Sequence, residues 1–571
     1  MPEGSLTGTQ TATKNYAVFN QFETMDTQAS RVGIEPTRLS WCENLQILNA
    51  HELGTVPAPS PPFVSGGSSN VVKLWYGFVA GVDAVVAFRA DGSMVAVNAS
   101  AAVITLAGPG TFSNPDVVVW NHAIILVADP TAGYVAFSFS PSAPGVPVFS
   151  RGGTVSPNIK VTNGGSGYVT PPAVTIGGGS GSGATAVATV VAGFVTNVYL
   201  TNPGSGYLAS DVLTVTFGGP GAGATATAKV WPIFIGYAPY TLAIFAGRVW
   251  HTDGTQLNWT GTGGYDDVSA ADAAGFTQIA DYDLVHKITA LRSLNNFLWI
   301  FGDESIKQIG SISVSGAITN FTIVTLSSDV GTTFMQTILS YNRLVLFANN
   351  VGVWAVLGSS VQKVSNEMDG IFALIDFSQQ LSAALSDIAS RRVYCLLVRY
   401  IDPLQSRTRS LLLTYQAGQW YVCAQGDSLT AVTTAFVNST AGSVETWGSS
   451  GPDLTWLLSA PSTSVGIILR TALTHHNKPN MGKKLLRAAV MQQAGNSAVM
   501  TFTLDTENGF DSQNYTVATS GVQSFDWQRT KANGTGVYVG MSLSGSFHGW
   551  RFNAGLIEYQ EGTALASKVG V

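Results

Sequence analysis

Pairs of short predicted β-strands, each joined by a tight-turn signal, recur along most of this chain about every 45 residues. Residues 85–88 and 94–97, for example, flank a turn that contains Asp91-Gly92, and Asp-Gly is a strong hairpin signal. A small sheet cannot bury both of its faces, whereas sheets packed in a ring bury one another. Propeller blades are about 40–45 residues long. The spacing therefore predicts a β-propeller of six or seven blades, with a long array of β-sandwiches as the alternative.

A different repeat interrupts this pattern. Residues 161–168 read VTNGGSGY and residues 200–207 read LTNPGSGY, and a GATA run follows each copy. A period of roughly 40 residues indicates one supersecondary unit used twice. The segment is nearly uncharged, unlike the chain around it. We therefore predict an inserted pair of small β modules.

These patterns give an all-β fold class and four regions. The N-terminal arm is expected to be irregular and to end in a proline-rich linker of extended chain at 57–62. The C-terminal region alternates in strand fashion and is predicted to be a separate β-sandwich that supplies ring or platform contacts. The predicted regions are the arm and linker (1–65), the propeller (66–151 and 233–459), the inserted tandem modules (152–232) and the C-terminal β domain (460–571).

Composition narrows the class of protein. Only 11% of the residues are charged, against about 25% in typical domains, which predicts that neighbouring subunits cover much of the surface. The mean hydropathy is +0.22, but the most apolar segment, residues 117–127, spans only 11 residues. A membrane-spanning helix needs about 20, so no membrane segment is predicted. The amino terminus lacks a secretory pattern, which predicts synthesis in a cytoplasm.

The three cysteines, Cys42, Cys395 and Cys423, are far apart and show no metal-binding spacing. They are predicted to be buried, reduced thiols, with Cys395 and Cys423 on neighbouring strands as a further possibility. No cofactor or metal is predicted.

No specific catalytic pattern is present, so the chain is predicted not to be an enzyme. None of the seven histidines lies in HExxH or a comparable motif. Residues 251–259, HTDGTQLNW, resemble the Asp-box turn of sialidase propellers, but such turns pin a hairpin whether or not sugar is bound. Sialidase chemistry needs an arginine cluster and a tyrosine nucleophile, and the spacing of Arg391, Arg392 and Tyr394 does not supply them.

Three groups of residues are candidate binding sites, and each has a structural alternative. Calcium needs several converging oxygen ligands, and an aspartate-rich loop offers them, although a plain polar loop fits its spacing better. A basic cluster near His475-His476 is a candidate contact for DNA or an acidic partner, or simply a solvated turn. Two repeat-equivalent tyrosines are candidates to stack on a glycan, or to pack under their own turns. The residues are Asp266, Asp267, Asp272, Asp281 and Asp283; Lys478, Lys483, Lys484 and Arg487; and Tyr168 and Tyr207.

Several segments resemble the tail nozzle (tail tubular protein B-like) proteins of short-tailed bacteriophages. The arm at 22–45, FETMDTQASRVGIEPTRLSWCENL, resembles the opening of that family, which has a D-T/R-x-S motif and then E-N-L/V. Blade-like segments and the closing strands are also similar, and the SGY/GATA modules resemble decorations of phage virion proteins. The further segments are FAGRVWHTDGTQLNW (245–259), GYDDV (264–268), LWIFGDESIKQIG (298–310) and the stretch from GVYVGMSLSG to WRF (536–552). The insertion departs from the simplest members.

The resemblance implies a propeller on each subunit of a hexameric ring at the distal end of the tail. It implies docking to a tail adaptor (head-to-tail connector) ring, contacts with tail fibres or spikes, and transient passage of viral DNA. It also implies a virion location after synthesis in the host cytoplasm, and no catalytic residues. Six copies with a net charge of −6 each would suit a conduit that does not hold DNA.

Two alternatives remain open. The chain could be a glycan-binding or glycan-cleaving propeller that acts as a host-receptor-binding tail protein. Alternatively, the inserted modules bind host surface glycan while the propeller builds the tail.

Overall fold

The computed structural model describes residues 14–63, 67–98, 103–106, 110–140, 143–234, 237–279, 287–403, 406–437, 442–518, 524–529 and 535–564. Strands dominate this part of the chain. Its helices are single turns, and none of them is long enough to cross a membrane. They are 3₁₀ helices at Ala270–Asp272, Met335–Thr337 and Asn366–Met368, and α1 at Asp369–Phe372.

The N-terminal arm contains four strands, which differs from the irregular segment predicted. They are β1 (Lys14–Phe19), β2 (Leu39–Glu43), β3 (Leu45–Asn49) and β4 (Glu52–Thr55).

The first two blades follow the arm. The turn predicted at Asp91 joins two strands of blade 1, where the Asp91 carboxylate accepts a 2.9 Å hydrogen bond from the Ser93 amide. Blade 1 consists of β5 (Val71–Val79), β6 (Val82–Arg89), β7 (Met94–Asn98) and β8 (Val103–Leu106), and blade 2 of β9 (Asp116–Trp120), β10 (Ile124–Asp129), β11 (Gly133–Ser140) and β12 (Ala143–Ser150).

The insertion follows the last strand of blade 2. Its strands are β13 (Lys160–Ser166), β14 (Ala173–Gly177), β15 (Ser182–Val191), β16 (Phe194–Ser205), β17 (Thr214–Phe217) and β18 (Ala222–Thr227).

Five further blades come next. Blade 3 consists of β19 (Thr241–Phe245), β20 (Arg248–Thr252), β21 (Gln256–Trp259) and β22 (Gly275–Gln278). Blade 4 consists of β23 (Ile288–Leu294), β24 (Phe297–Gly302), β25 (Ile306–Ser315) and β26 (Ile318–Ser327). Blade 5 consists of β27 (Leu339–Tyr341), β28 (Leu344–Ala348), β29 (Val353–Leu357) and β30 (Ser360–Lys363). Blade 6 consists of β31 (Ser382–Ile388), β32 (Arg391–Asp402), β33 (Arg407–Gln416) and β34 (Gln419–Cys423). Blade 7 consists of β35 (Leu429–Ala435), β36 (Glu445–Ser450) and β37 (Asp453–Leu457).

The described residues therefore form a seven-bladed β-propeller, which confirms the predicted fold class. The ring closes where the first strand of blade 7, β35, lies beside β5 of blade 1. Neighbouring blades share apolar clusters, as a ring of small sheets requires. Val86 of blade 1 and Val127 of blade 2 belong to one such cluster, and Val95 of blade 1 and Trp447 of blade 7 to another.

The proline-rich linker supplies the fourth position of blade 7. The Ser60 and Phe63 amides donate to the carbonyls of Trp456 (2.8 Å) and Leu454 (2.7 Å) on β37. Proline tolerates an edge position because the missing amide faces away from the ladder. The linker thus joins the two ends of the propeller chain.

The C-terminal β-sandwich is not separate from the arm, in contrast to the prediction. One sheet has the order β3-β4-β45-β39-β42, with β1 beside β45 and β43 beside β39. The other continues blade 6 in the order β31-β32-β33-β34-β2-β38-β44-β40-β41. The C-terminal strands are β38 (Val465–Thr471), β39 (Met481–Gln493), β40 (Ala498–Thr506), β41 (Gly509–Val517), β42 (Ser524–Arg529), β43 (Thr535–Gly536), β44 (Val539–Phe547) and β45 (Arg551–Ala564).

Candidate functional site

The arm segment DTQASR, which carries part of the family resemblance, lies between the propeller and the sandwich. On the propeller side, the Thr27 amide and hydroxyl both donate to the Glu367 carbonyl, at 2.7 and 3.1 Å. The backbone approach is close, because a Cβ added to Gly370 would lie 1.9 Å from the Thr27 carbonyl oxygen. Only glycine allows such an approach.

The same segment is fastened to the sandwich by Arg31. Its guanidinium donates to the carbonyls of Thr471 (2.6 Å) and Met541 (2.9 Å) and pairs with Asp505 at 2.8 Å. Burial lowers the pKa of Arg31, and the Asp505 carboxylate opposes that shift. This arrangement uses the planar fork of arginine to bind several acceptors at once.

The second resemblance motif, ENL, forms the centre of the joint. Glu43 and Arg409 of blade 6 form a buried ion pair, 2.5 Å between Oε1 and Nη2. Asn44 has a left-handed backbone (φ 57°). Its side chain accepts from the Ala424 amide (2.8 Å) and donates to the Gly466 carbonyl (2.6 Å). Ala424 follows the last strand of blade 6 and Gly466 lies on β38, so Asn44 links the propeller to the sandwich.

The propeller axis contains a cavity of about 510 Å³ lined by all seven blades. A polar cluster lies within it. The Asp116 carboxylate accepts from Arg292 (2.7 Å), from the Thr241 hydroxyl (2.6 Å) and from the Leu242 amide (3.1 Å). Arg292 also donates to the Met335 carbonyl at 2.7 Å. These bonds connect the inner strands of blades 2, 3 and 4 with the entry to blade 5.

Lys73 on β5 lines the same cavity. Burial lowers its pKa to about 8, with Arg292 adding to the shift and Asp116 opposing it. The sequence prediction missed Lys73, Asp116 and Arg292. Each is a charged residue in an otherwise apolar strand. Such a residue indicates a place in the axial cavity only once the innermost strand of each blade is known.

The two copies of the insertion interlock into a single unit, not the pair of modules predicted. β13 of the first copy pairs with β18 of the second, and β15 of the first pairs with β16 of the second. Equivalent turns match: the Asn163 side chain accepts from the Gly165 amide and the Asn202 side chain from the Gly204 amide, both at 2.9 Å. The repeat is therefore a pseudo-twofold fold in which each copy completes the other.

The glycan-stacking prediction for Tyr168 and Tyr207 is corrected by their burial, at 2% and 3% exposure. Each ring lies against a glycine of the other copy, where an added Cβ would meet the ring of Tyr168 at 2.4 Å or that of Tyr207 at 2.5 Å. Because both rings are enclosed, neither has a free face for a sugar. The two tyrosines instead fit the alternative prediction, in which each ring packs beneath a turn.

The aspartate-rich loop holds the insertion against blade 3. Asp266 is buried and accepts from the Ser156 hydroxyl (2.5 Å) and the Asn158 side-chain amide (2.9 Å) of the insertion. Burial raises the pKa of Asp266, while these two bonds and Lys229 oppose the shift. Lys229 pairs with Asp267. Asp281 and Asp283 lie outside the described residues, and the described part of the chain brings no three His, Cys, Asp or Glu side chains together as a metal site.

Most of the predicted basic cluster is engaged within the sandwich. Lys478 pairs with Glu561, and Arg487 pairs with Glu558. The buried Lys483 donates to three backbone carbonyls, including that of Val537 at 2.6 Å. Lys478 and Lys484 are both exposed, and among the described residues the Lys484 side chain makes no hydrogen bond or ion pair. Neighbouring carboxylates and carbonyls thus bind three of the four basic side chains, and a contact of the cluster with DNA or an acidic partner stays a prediction.

The three thiols are free and buried, as predicted. Cys395 and Cys423 lie on β32 and β34, so β33 separates them, and the Thr414 hydroxyl on β33 lies 3.5 Å from the Cys423 sulfur. Burial raises the pKa of Cys423 to about 12. The neighbouring-strand alternative for the two cysteines is wrong.

Comparisons with known proteins found no matching family model and no matching curated protein. Among solved structures, the chain is similar to the β-propeller domain of Myceliophteria thermophila Cps50 (Swd1), at 12% identity, a TM-score of 0.31, and coverage of 70% of this chain and 98% of that one. It is also similar to BBS1N, solved in complex with ARL6DN, at 10% identity, a TM-score of 0.27, and coverage of 70% and 97%. A third match is Porphyromonas gingivalis PorZ, a component of the type-IX secretion system, at 8% identity, a TM-score of 0.25, and coverage of 86% and 77%.

Proposed function

We propose that this chain is a structural virion protein, a subunit of a tail nozzle ring that docks to an adaptor ring and forms the distal channel for DNA ejection. In this account the ring is a hexamer that also contacts tail fibres or spikes, and the chain carries no catalytic role. Each function rests on the resemblance of the arm and blade segments to phage nozzle proteins.

The observation that supports the proposal most is the joint formed by the arm. The motif residues Thr27, Arg31, Glu43 and Asn44 all bind between the propeller and the sandwich. A nine-stranded sheet also links blade 6 through β2 to the sandwich, with β2 joined to β34 at the pair Glu43–Val422. Such a joined two-part body suits a subunit that must keep its shape while DNA moves past it.

The proposal places the DNA path between subunits and not through a propeller. The propeller axis is crossed by the Asp116–Arg292 pair and encloses only about 510 Å³. Ring assembly by heterologous contacts creates a separate central hole. A wall with a net charge of −6 per copy would hold phosphate groups weakly.

Immunogold labelling of assembled virions tests this function. An antibody raised against the insertion, which faces solvent at Val169 and Val212 (87% and 81% exposed), should label the distal end of the tail. Virions assembled from protein that lacks the insertion are the matched control for antibody specificity. Label on the capsid, or in the lysate but not on virions, would contradict a nozzle role.

Deleting the insertion distinguishes the alternative, in which the insertion binds host glycan, from a role in tail assembly alone. The structure shows where the two cut ends can be rejoined. Val155 and Val230 are bridged, and the Trp231 amide donates to the Thr154 carbonyl at 2.8 Å, so a Gly-Gly link can replace 156–229. Asp266→Asn should accompany the deletion, because Asp266 loses its insertion partners. Normal assembly with lost adsorption would favour the receptor-binding alternative, whereas normal assembly and adsorption would exclude it.

A further inference from the structure

The axial cavity is lined by polar groups that have hydrogen-bond partners and by polar groups that have none. The carboxylate lining it, Asp116, already accepts three hydrogen bonds, from Arg292, Thr241 and Leu242. Arg292 is in turn satisfied by Asp116 and by two backbone carbonyls. Neither side chain of this pair therefore demands a further partner.

Lys73 stands in contrast to that pair. Within the described part of the chain, its ammonium makes no hydrogen bond and no ion pair shorter than 4 Å, although it lines the cavity. Thr433 and Trp75 also line the cavity, and among the described residues the Thr433 hydroxyl and the Trp75 indole N–H have no hydrogen-bond partner. The unused groups are thus a cation, a hydroxyl and an N–H donor.

Lys73 is half-buried, and the carboxylate that acts on it, Asp116, is already paired with Arg292. An ammonium in this position is unfavourable, because its partial removal from water is not compensated by a partner of its own. The lining contains two cations, Lys73 and Arg292, and one carboxylate, Asp116, so the cavity keeps an excess positive charge inside an acidic chain. The pKa of Lys73, lowered by burial to about 8, leaves the ammonium largely protonated at neutral pH. An anion in the cavity would satisfy this charge.

We propose that the axial cavity of the propeller is a binding site for a small oxyanion, a phosphate or a carboxylate, held by the Lys73 ammonium with the Thr433 hydroxyl and the Trp75 indole as further donors. The ligand enters along the propeller axis, and the Asp116–Arg292 pair forms the wall behind it. The site is independent of the nozzle role, so its absence would leave that role untouched.

Thermal unfolding and calorimetric titration of the full chain test the site, with inorganic phosphate and acetate as the probes and sodium chloride as the ionic-strength control. Phosphate or acetate should raise the unfolding temperature of the wild-type protein in a saturable way. Lys73→Met should weaken anion binding about tenfold or more, because a charge-assisted hydrogen bond is lost. Without anion, Lys73→Met should be at least as stable as the wild type, because it removes an unpaired charge. Lys484→Met, an exposed lysine of the sandwich, is the matched control.

The stronger of the two probes identifies the class of oxyanion. An equal response in the wild type, Lys73→Met and Lys484→Met would overturn the proposal, as would no response to either probe. A tungstate soak of crystals gives a second test that needs no variant. An anomalous peak beside the Lys73 ammonium is expected, and tungstate bound only elsewhere would refute the site.

Discussion

Replacement of Asn44 should loosen the joint between the propeller and the sandwich. In Asn44→Ala, the partly buried Ala424 amide loses its acceptor, which costs about 1–2 kcal/mol. The Gly466 carbonyl also loses its donor, but Gly466 is exposed and water can replace it, so this loss is about 0.5–1 kcal/mol. The left-handed backbone (φ 57°) adds about 1 kcal/mol with alanine. The expected total is about 3 kcal/mol.

Hydrogen exchange and chemical denaturation measure this effect together. Because a chain with two packed domains need not unfold in two states, the denaturation midpoint should be paired with amide exchange at β34 and β38, which flank Asn44 in the joint. Exchange there should rise, while exchange in blades 2 to 4 should be unchanged.

Asn296→Ala is the matched control, because Asn296 also has a left-handed backbone (φ 65°) but lies exposed in a hairpin turn. It should show only the backbone part, about 1 kcal/mol. Equal losses for Asn44→Ala and Asn296→Ala would refute the reasoning, because the joint hydrogen bonds would then contribute nothing.

Three further outcomes are expected. Gly370→Ala should displace the arm, because its Cβ would lie 1.9 Å from the Thr27 carbonyl oxygen; the loss should be about 1–3 kcal/mol, with faster proteolysis of the arm than in Gly482→Ala, whose added Cβ meets no atom within 4 Å. Tyr168→Ala should destabilise the insertion by about 3–5 kcal/mol and raise its amide exchange, whereas Val169→Ala, at an 87% exposed position, should not; equal effects would place the Tyr168 ring outside the core. Burial lowers the pKa of His251 to about 3. Below about pH 6.5 this histidine is therefore protonated in the unfolded chain but stays neutral in the folded chain. The free energy of unfolding should consequently fall by about 2 kcal/mol between pH 6.5 and 5. His251→Gln should show a correspondingly flatter pH dependence in thermal unfolding, and an unchanged slope would contradict the burial argument.

The propeller could be predicted from local patterns because each blade is built from consecutive strands. Hairpin turns such as the one at Asp91 and the spacing of the units carry that information in the sequence. The arm strands could not be predicted in the same way, because their partners lie far along the chain. β1 pairs with β45, and β2 lies between β34 and β38. Only the folded chain reveals such long-range pairing.

The insertion shows the same limit on a smaller scale. The repeat correctly indicated one unit used twice, but the sequence alone did not tell whether the copies fold separately or exchange strands. The exchange also explains why Tyr168 and Tyr207 are buried, since each ring needs a glycine from the other copy. Likewise, the charge of Lys478 and Arg487 was visible in the sequence, whereas their partners on β45 were not.

Native mass spectrometry of the purified chain, alone and with its adaptor protein, combined with negative-stain images of the same samples, tests the nozzle proposal most directly. The account predicts a six-fold ring with a central hole that lies between subunits. A chain that remains monomeric at high concentration with the adaptor present would contradict it, and a trimer would point instead to a fibre or spike.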